Sequence, residues 1–186
     1  MTSTRLSALG SRLAVTAPAI GVVGFTLALA AAAQVAIPIP GTPVPVTLQP
    51  LVVVLAGMML GPTLGAASMV LYLAAGAVGL PVFAPGGAPG VARLLGPTGG
   101  YLIAFPFAAY IAGLVATRTP TLVGRWAGAL AGMIAIFVGG LSQLTILTGS
   151  VREAIALGIT PFAVLDVVKA LVAALVARPL IRKTRD

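Results

Sequence analysis

The chain has 186 residues, of which 59% are hydrophobic and 8% charged, and its mean hydropathy is +1.14. An average soluble domain is about 45–50% apolar, so this composition predicts an integral membrane protein. Cysteine and histidine are absent, which excludes disulfides, thiolate metal sites and histidine-based catalysis. The net charge of +8 forms no basic helix face and does not alternate with aromatic residues, so we expect no nucleic-acid partner.

The apolar stretches predict an all-α membrane protein, a single integral membrane domain covering residues 1–186 with six transmembrane helices. The predicted spans are 18–36, 49–60, 63–79, 98–117, 123–148 and 160–180. The second span is short and ends at Gly61-Pro62, so it should form a tight hairpin with the third. Segments 37–47 and 80–97 are apolar but too rich in proline or glycine for regular helix. We therefore expect two structured outer loops that pack onto the bundle.

The distribution of lysine and arginine predicts the orientation. With the N-terminus inside, the cytoplasmic segments carry eight basic residues and the outer segments carry two. The eight are Arg5, Arg12, Arg118, Arg125, Arg178, Arg182, Lys183 and Arg185, and the two are Arg93 and Arg152. Cytoplasmic segments of membrane proteins carry such an excess, so both termini are predicted to be cytoplasmic. The tails would be 1–16 and the basic segment 181–186, flanking a bundle at 17–180.

The N-terminal region allows a second interpretation. Arg5 and Arg12, followed by an apolar run and the alanines 30–33, also resemble a cleavable secretory signal. The apolar run is longer than a typical signal, however, and its removal would leave five spans with the tails on opposite sides. A retained first span is the prediction.

Asp166 is the only acidic residue within a predicted span, and Lys169 follows three residues later. A charge at membrane depth costs roughly 2.5–3.5 kcal/mol on insertion scales, so such a residue indicates a functional site. The spacing places both side chains on one helix face, where they can share a ligand. The alternative is a structural ion pair that holds helices together.

Polar residues from other segments are predicted at the same depth as this pair. The sixth span enters from outside, so Asp166 and Lys169 fall in the outer half of the bilayer. The other polar residues expected there are Thr47, Gln49, Tyr101, Ser142, Gln143 and Thr145. A polar cluster roofed by two apolar loops indicates capture of a small molecule from outside.

Each of these residues has a simpler interpretation. Gln143 and Ser142 are also suited to interhelical hydrogen bonds, and Tyr101 to an interfacial aromatic belt. Thr47 and Gln49 are also suited to capping the second span.

Small residues recur at every fourth position of the first span. They are Gly24, Ala28, Ala32 and Ala36. Such a face allows close approach of another helix, either from the same chain or from a partner protein.

Catalysis is not indicated. The chain has no G-x-x-x-x-G-K-[ST] motif, so we do not expect it to bind ATP through a P-loop. An intramembrane aspartyl enzyme needs two carboxylates that share a site, and the spans contain only Asp166. A serine hydrolase would need an unusual Ser–Lys arrangement. We expect no catalytic residue, no metal site and no cofactor.

Five sequence blocks occur in a distinctive order from about residue 24 to residue 174. They are Val44-Pro45-Val46-Thr47-Leu48-Gln49; Gly57, Leu60-Gly61 and Gly65; Tyr72-Leu73, Gly76 and Gly79-Leu80-Pro81-Val82-Phe83; Gly96-Pro97-Thr98-Gly99-Gly100-Tyr101; and Asp166 with Lys169-Ala170. Together they resemble the BioY family, the biotin-binding S components of energy-coupling-factor (ECF) transporters.

The resemblance implies a six-helix protein of the bacterial or archaeal cell (inner) membrane that captures biotin with high affinity. It also implies partners, namely a transmembrane coupling protein and two cytosolic ATPases, which would use the ATP in place of this chain. In the family the small-residue face of the first helix docks on the coupling protein, which assigns that role to Gly24, Ala28, Ala32 and Ala36.

The chemistry of biotin matches the polar cluster. Its ureido ring has two N–H donors and one acceptor oxygen, so Asp166 can accept from the ring, and Lys169 can donate to the ureido oxygen or to the tail carboxylate. Tyr101 and Phe83 can pack on the ring system, and the two polar residues that end the first outer loop would hold it closed. The predicted substrate-binding residues are Asp166, Lys169, Tyr101, Gln49, Thr47, Phe83 and Gln143.

The chain departs from the family after the L-P-V-F block. Some members carry an asparagine there, whereas this chain has Ala84-Pro85-Gly86-Gly87 and no asparagine at all. Backbone groups or Arg93 would have to make any corresponding contact. The alternative functions are an S component or facilitator for another small vitamin and, less in keeping with the residues, an intramembrane enzyme.

Overall fold

The computed structural model describes residues 3–177, with side chains from residue 18 onward. Within this range the chain is mostly helical and has one two-stranded antiparallel ribbon. The elements are α1 Ser3–Gln34, β1 Ala36–Ile37, β2 Val46–Thr47, α2 Gln49–Leu60, α3 Pro62–Ala77, α4 Val91–Leu95, α5 Gly99–Arg118, α6 Leu122–Thr148, α7 Val151–Gly158 and α8 Ala163–Val176. The predicted tail 181–186 and the end of the predicted sixth span lie outside the described residues.

The hairpin between α2 and α3 follows from two adjacent residues. Gly61 has φ +86° and ψ 170°, a conformation that a side chain would strain. Pro62 then takes the first position of α3, where its missing N–H costs no helical hydrogen bond. The predicted tight hairpin is confirmed.

Glycines let the central helices touch backbone to backbone. A Cβ built at Gly57 of α2 would overlap the carbonyl oxygen of Ala109 in α5, and one built at Gly113 of α5 would overlap the carbonyl of Gly57. Contact this close is typical of helices that pack in lipid through small residues.

Gly57→Ala should therefore destabilise the bundle by about 1–3 kcal/mol, because the added methyl group forces α2 and α5 apart. The measurement is thermal unfolding in detergent. Gly24→Ala is the matched control, since a Cβ built at Gly24 meets no atom within 4 Å in the part of the chain that the structure describes. Equal unfolding temperatures for the two variants would contradict this account of the packing.

Two of the described helices, α5 and α6, are long and apolar enough to cross a membrane. Helices α7 and α8 pass the same test together as one span bent by 53°. The segment Pro18–Gln34 of α1, together with α2 and α3, forms shorter apolar helices. With 12 residues, α2 is about 18 Å long, less than the roughly 30 Å of a bilayer core.

The first helix differs from its predicted bounds. It begins at Ser3, with Pro18 inside it, and it ends at Gln34, so Ala36 lies in β1. Proline suits the first position of a helix, but it also occurs inside long helices, where it removes one backbone hydrogen bond and crowds the preceding turn. Leu29 and Ala33 are fully buried, so α1 is part of the core.

The sequence prediction also missed α7. Gly149 ends α6 with φ +70°, and the Ser150 hydroxyl then accepts a hydrogen bond from the Glu153 backbone N–H. This Ser-x-x-Glu spacing is the signature of a capping box, and it could have revealed the helix. As a result α8 begins at Ala163, and Asp166 lies in its first turn rather than deeper along the helix.

Both predicted outer loops pack onto the bundle, as expected. In the first loop (35–48) the β1–β2 ribbon pairs Ala36 with Thr47, and Val44 is 8% exposed. The Thr42 hydroxyl donates to the Leu157 carbonyl at 2.6 Å, which attaches this loop to α7. In the second loop (78–98) Phe83 is also 8% exposed.

Candidate functional site

A pocket lies between the two loops, the N-terminal parts of α2, α5 and α8, and the middle of α6. The space enclosed by its lining atoms, counted to its open mouth, is about 670 Å³. The polar residues that line it are Thr47, Gln49, Arg93, Thr98, Asp166 and Lys169. The aromatic residues are Tyr101, Phe105, Phe137 and Phe162. An apolar wall with a few polar groups is typical of a small-molecule site.

Asp166 and Lys169 form an ion pair in this pocket. Lys169 Nζ donates to Asp166 Oδ1 at 2.7 Å, and the two side chains are only 12% and 7% exposed. Among the described residues no other group donates to the Asp166 carboxylate, so Oδ2 can accept from a ligand. The pair joins two residues of α8 and no second helix, so its geometry favours a ligand site over a structural pair that holds helices together.

The start of α8 supports the carboxylate electrostatically. Asp166 lies in the first turn, where the partial positive charge of the helix N-terminus stabilises an anion. Lys169 keeps two further N–H donors beyond the one that Asp166 uses. The pair therefore presents an acceptor and a cationic donor side by side.

Thr47 and Gln49 belong to a hydrogen-bond chain that links both loops. The Thr47 hydroxyl donates to Gln49 Oε1 at 3.2 Å and accepts from the Gln49 backbone N–H at 3.2 Å. Gln49 Nε2 donates to Tyr72 Oη at 2.9 Å, and Tyr72 Oη donates to the Val82 carbonyl at 3.1 Å. These hydrogen bonds thus connect the end of the first loop to the second loop through α2 and α3.

Tyr101 lies in the pocket wall and not at a lipid interface. It is 8% exposed, and its hydroxyl donates to the Gly158 carbonyl at the end of α7, at 2.8 Å. A Cβ at Gly140 or at Gly158 would overlap the tyrosine side chain, so both glycines make room for it. The ring of Tyr101 is therefore fixed in place.

The structure does not bring Gln143 and Phe83 to the pocket. Gln143 Nε2 donates to the carbonyls of Leu94 and Gly96, which favours its interpretation as a helix-to-loop hydrogen bond. Phe83 packs edge-on against Tyr72, with ring centroids 5.4 Å apart.

Arg93 lines the pocket from the second loop, the loop in which the sequence offers Arg93 or backbone groups in place of the missing asparagine. Its guanidinium packs against Gly87, where a Cβ would overlap it. Partial burial lowers the pKa of Arg93 below its ordinary value, so the group is incompletely hydrated although still charged. A ligand anion would compensate for the lost water.

The sequence reasoning also missed Phe105 and Phe162. Both line the pocket and are 5% exposed or less. Phe105 follows Tyr101 by one helical turn, so their shared face of α5 is a signal that could have identified it. Phe162 immediately precedes α8 and has no comparable signal.

The predicted docking residues do not form one continuous exposed face. Gly24 and Ala28 are exposed on α1, Ala32 is 8% exposed, and Ala36 lies in β1. The open part of the face therefore lies in the C-terminal half of α1, at Gly24 and Ala28.

Comparisons with known proteins give one consistent family. A family model described as the BioY family matches residues 4–186. The probable biotin transporter BioY of Pyrococcus horikoshii is 46% identical over 138 residues, which cover 74% of this chain and 81% of that protein. The biotin transporter BioY of Thermotoga maritima is 39% identical over 155 residues, which cover 82% and 89%. A crystal structure of the S-component for biotin from an ECF-type ABC transporter matches with a TM-score of 0.76 and 26% identity, covering 95% of this chain and 92% of that one.

Proposed function

This chain belongs to the BioY family, as its sequence blocks predicted, and we propose that it is the substrate-binding subunit of an ECF transporter for biotin. The observation that carries this proposal is the Asp166–Lys169 pair, buried in an apolar pocket with one carboxylate oxygen open to a ligand. A charged pair in such surroundings is costly unless a ligand uses it.

The ureido ring of biotin suits this pair. Asp166 Oδ2 accepts from a ureido N–H, while a free N–H of Lys169 donates to the ureido oxygen. The ring system then lies among Tyr101, Phe105 and Phe162, whose side chains line the same pocket. Burial of apolar surface against these rings contributes roughly 25 cal/mol per Å².

The tail carboxylate of biotin is assigned to Arg93. The guanidinium lines the pocket from the second loop, whereas Lys169 is already bonded to Asp166 on α8. Arginine binds a carboxylate with two parallel hydrogen bonds, which suits the end of a flexible tail.

Arg93→Ala should weaken biotin binding about tenfold to a hundredfold, because a charge-assisted contact is lost. Binding of biotin methyl ester, which lacks the charge, should change little. Equilibrium titration of the purified protein measures both affinities. Arg152→Ala is the control, since Arg152 is exposed on α7 and does not line the pocket. An equal loss for both ligands would argue against this assignment.

The protein is a helical multi-pass membrane protein, and we propose that α1, α2, α3, α5, α6 and the bent α7–α8 pair form six membrane-embedded segments. The positive charges support cytoplasmic termini, with the pocket facing outside. The cell (inner) membrane of a bacterium or archaeon is the proposed location.

The proposed partners are a transmembrane coupling protein and two cytosolic ATPases. The exposed Gly24 and Ala28 of α1 support docking of the coupling protein. The chain itself is proposed to bind no ATP, metal or other cofactor and to catalyse no reaction.

Uptake of labelled biotin by cells that lack their own biotin transport tests this function. Cells that express the chain with a coupling protein and the two ATPases should accumulate biotin, and cells that express Asp166→Ala in its place should not. Accumulation that is equal with the wild type and with Asp166→Ala would refute a role of this pocket in uptake.

A further inference from the structure

We propose that Gln143 is a positioning residue that holds Arg93 at the pocket wall and thereby sets the affinity for the carboxylate end of the ligand. The proposal rests on the function proposed above. It gives Gln143 a role although its side chain does not line the pocket.

The segment that carries Arg93 is weakly packed, and of the α4 side chains only the partly buried Leu94 lies against the described hydrophobic core. Helix α4 has five residues and none of them is buried. Val91 is 56% exposed and Leu95 is 72% exposed. A helix of this length is not stable in isolation, so its position depends on contacts with its neighbours.

Gln143 supplies such a contact at the two residues that flank Leu95, the last residue of α4. Its Nε2 donates to the Leu94 carbonyl at 3.0 Å and to the Gly96 carbonyl at 2.7 Å. Carbonyls at the end of a helix have no partner within the helix and must find one elsewhere. Since both partners are acceptors, the amide nitrogen and not the amide oxygen must face them.

Two glycines give Gln143 its access to this segment. A Cβ at Gly99 would lie 2.8 Å from Gln143 Nε2 and would also overlap the Leu94 carbonyl. A Cβ at Gly100 would lie 2.8 Å from Gln143 Cβ. The two glycines at the start of α5 therefore leave room for the Gln143 side chain of α6 to contact the second loop.

The two bonded carbonyls lie in the chain between Arg93 and Thr98, two polar residues of the pocket wall. Leu94 directly follows Arg93, and Gly96 lies two residues before Thr98, which also lines the pocket. Without the amide, α4 loses its link to α6, and the Arg93 guanidinium samples positions away from the ligand. Asp166 and Lys169 are on α8 and keep their geometry, so the effect is confined to one end of the ligand.

The test compares biotin with biotin methyl ester in equilibrium titrations of purified Gln143→Met, which has a similar length but no donor. Biotin should bind about tenfold more weakly, as expected for two lost hydrogen bonds, and the ester should bind as it does to the wild type. In an Arg93→Ala background Gln143→Met should cause no further loss, because the two residues act through one contact. Ser142→Ala is the matched control, since the Ser142 hydroxyl donates only to Val138 within its own helix.

Equal weakening of both ligands, unchanged biotin affinity, or additive losses in the double variant would each overturn the positioning role. If Gln143→Met does not fold, the same titrations are made with Gln143→Asn, because its amide is one methylene too short to reach both carbonyls. A wild-type protein that binds biotin and the ester equally would overturn the assignment to Arg93 and this inference with it. A wild-type protein that binds no biotin would overturn the proposed function itself. A failure of the positioning role is therefore distinguishable from a failure of the proposed function.

Discussion

Asp166→Ala should abolish measurable biotin binding, with a loss of at least about a hundredfold, while the protein still folds. The substitution removes the ureido acceptor and leaves Lys169 as an unpaired charge in an apolar pocket, and removal of one partner of a buried pair costs about 3–5 kcal/mol. Lys169→Ala should have a similar effect on binding. Labelled biotin binding by purified protein gives the affinities, and thermal unfolding in detergent reports folding.

Two further variants separate binding from stability. Asp166→Asn combined with Lys169→Met removes both charges and should restore any lost stability without restoring biotin binding, because an uncharged pair needs no compensation. Glu153→Gln is the control, because this carboxylate is exposed on α7 and does not line the pocket. Unchanged affinity in both Asp166→Ala and Lys169→Ala would remove the assignment of the ligand site.

Gly24→Leu should abolish biotin uptake in cells while biotin binding by the purified protein stays at the wild-type level. A Cβ at Gly24 meets no atom of the described residues within 4 Å, so a larger side chain projects away from the bundle and would occupy the space proposed for a partner helix. Helices in lipid associate through small residues, and a leucine at the contact keeps their backbones apart. Uptake assays and co-purification with the coupling protein measure the effect.

Val138→Phe provides the comparison for Gly24→Leu. Val138 is 59% exposed on α6, so a larger side chain there also enlarges the lipid-facing surface. This variant should retain both uptake and co-purification. Full uptake by Gly24→Leu, or equal losses in both variants, would contradict docking through Gly24 and Ala28 of α1.

The sequence predicted the central helices well because residues next to their ends determine where they stop. Gly61-Pro62 separates α2 from α3, and the bounds of α2, α5 and α6 were correct to within a residue. The start of α1 was wrong because proline suits both the first turn and, at some cost, the interior of a helix. Helix α7 was missed because apolar residues continue through it, and only the Ser150–Glu153 spacing indicates a new helix.

The residues that line the pocket were predicted in part. Charge asymmetry predicted a common depth for the polar residues, and five of the seven predicted substrate-binding residues line one pocket. Depth does not give the direction in which a side chain points, so Gln143 was expected in the pocket although it faces the second loop. The position of Arg93 depends on how α4 packs against its neighbours. The sequence of this short irregular loop has no periodicity from which the packing of α4 could be predicted.

Equilibrium binding of labelled biotin to the purified wild-type protein is the decisive measurement for the proposed biotin site. We expect saturable binding at one site per chain that unlabelled biotin displaces and that riboflavin and thiamine do not. Absence of saturable biotin binding by folded protein, or displacement of the label by an unrelated vitamin as effectively as by biotin, would contradict it.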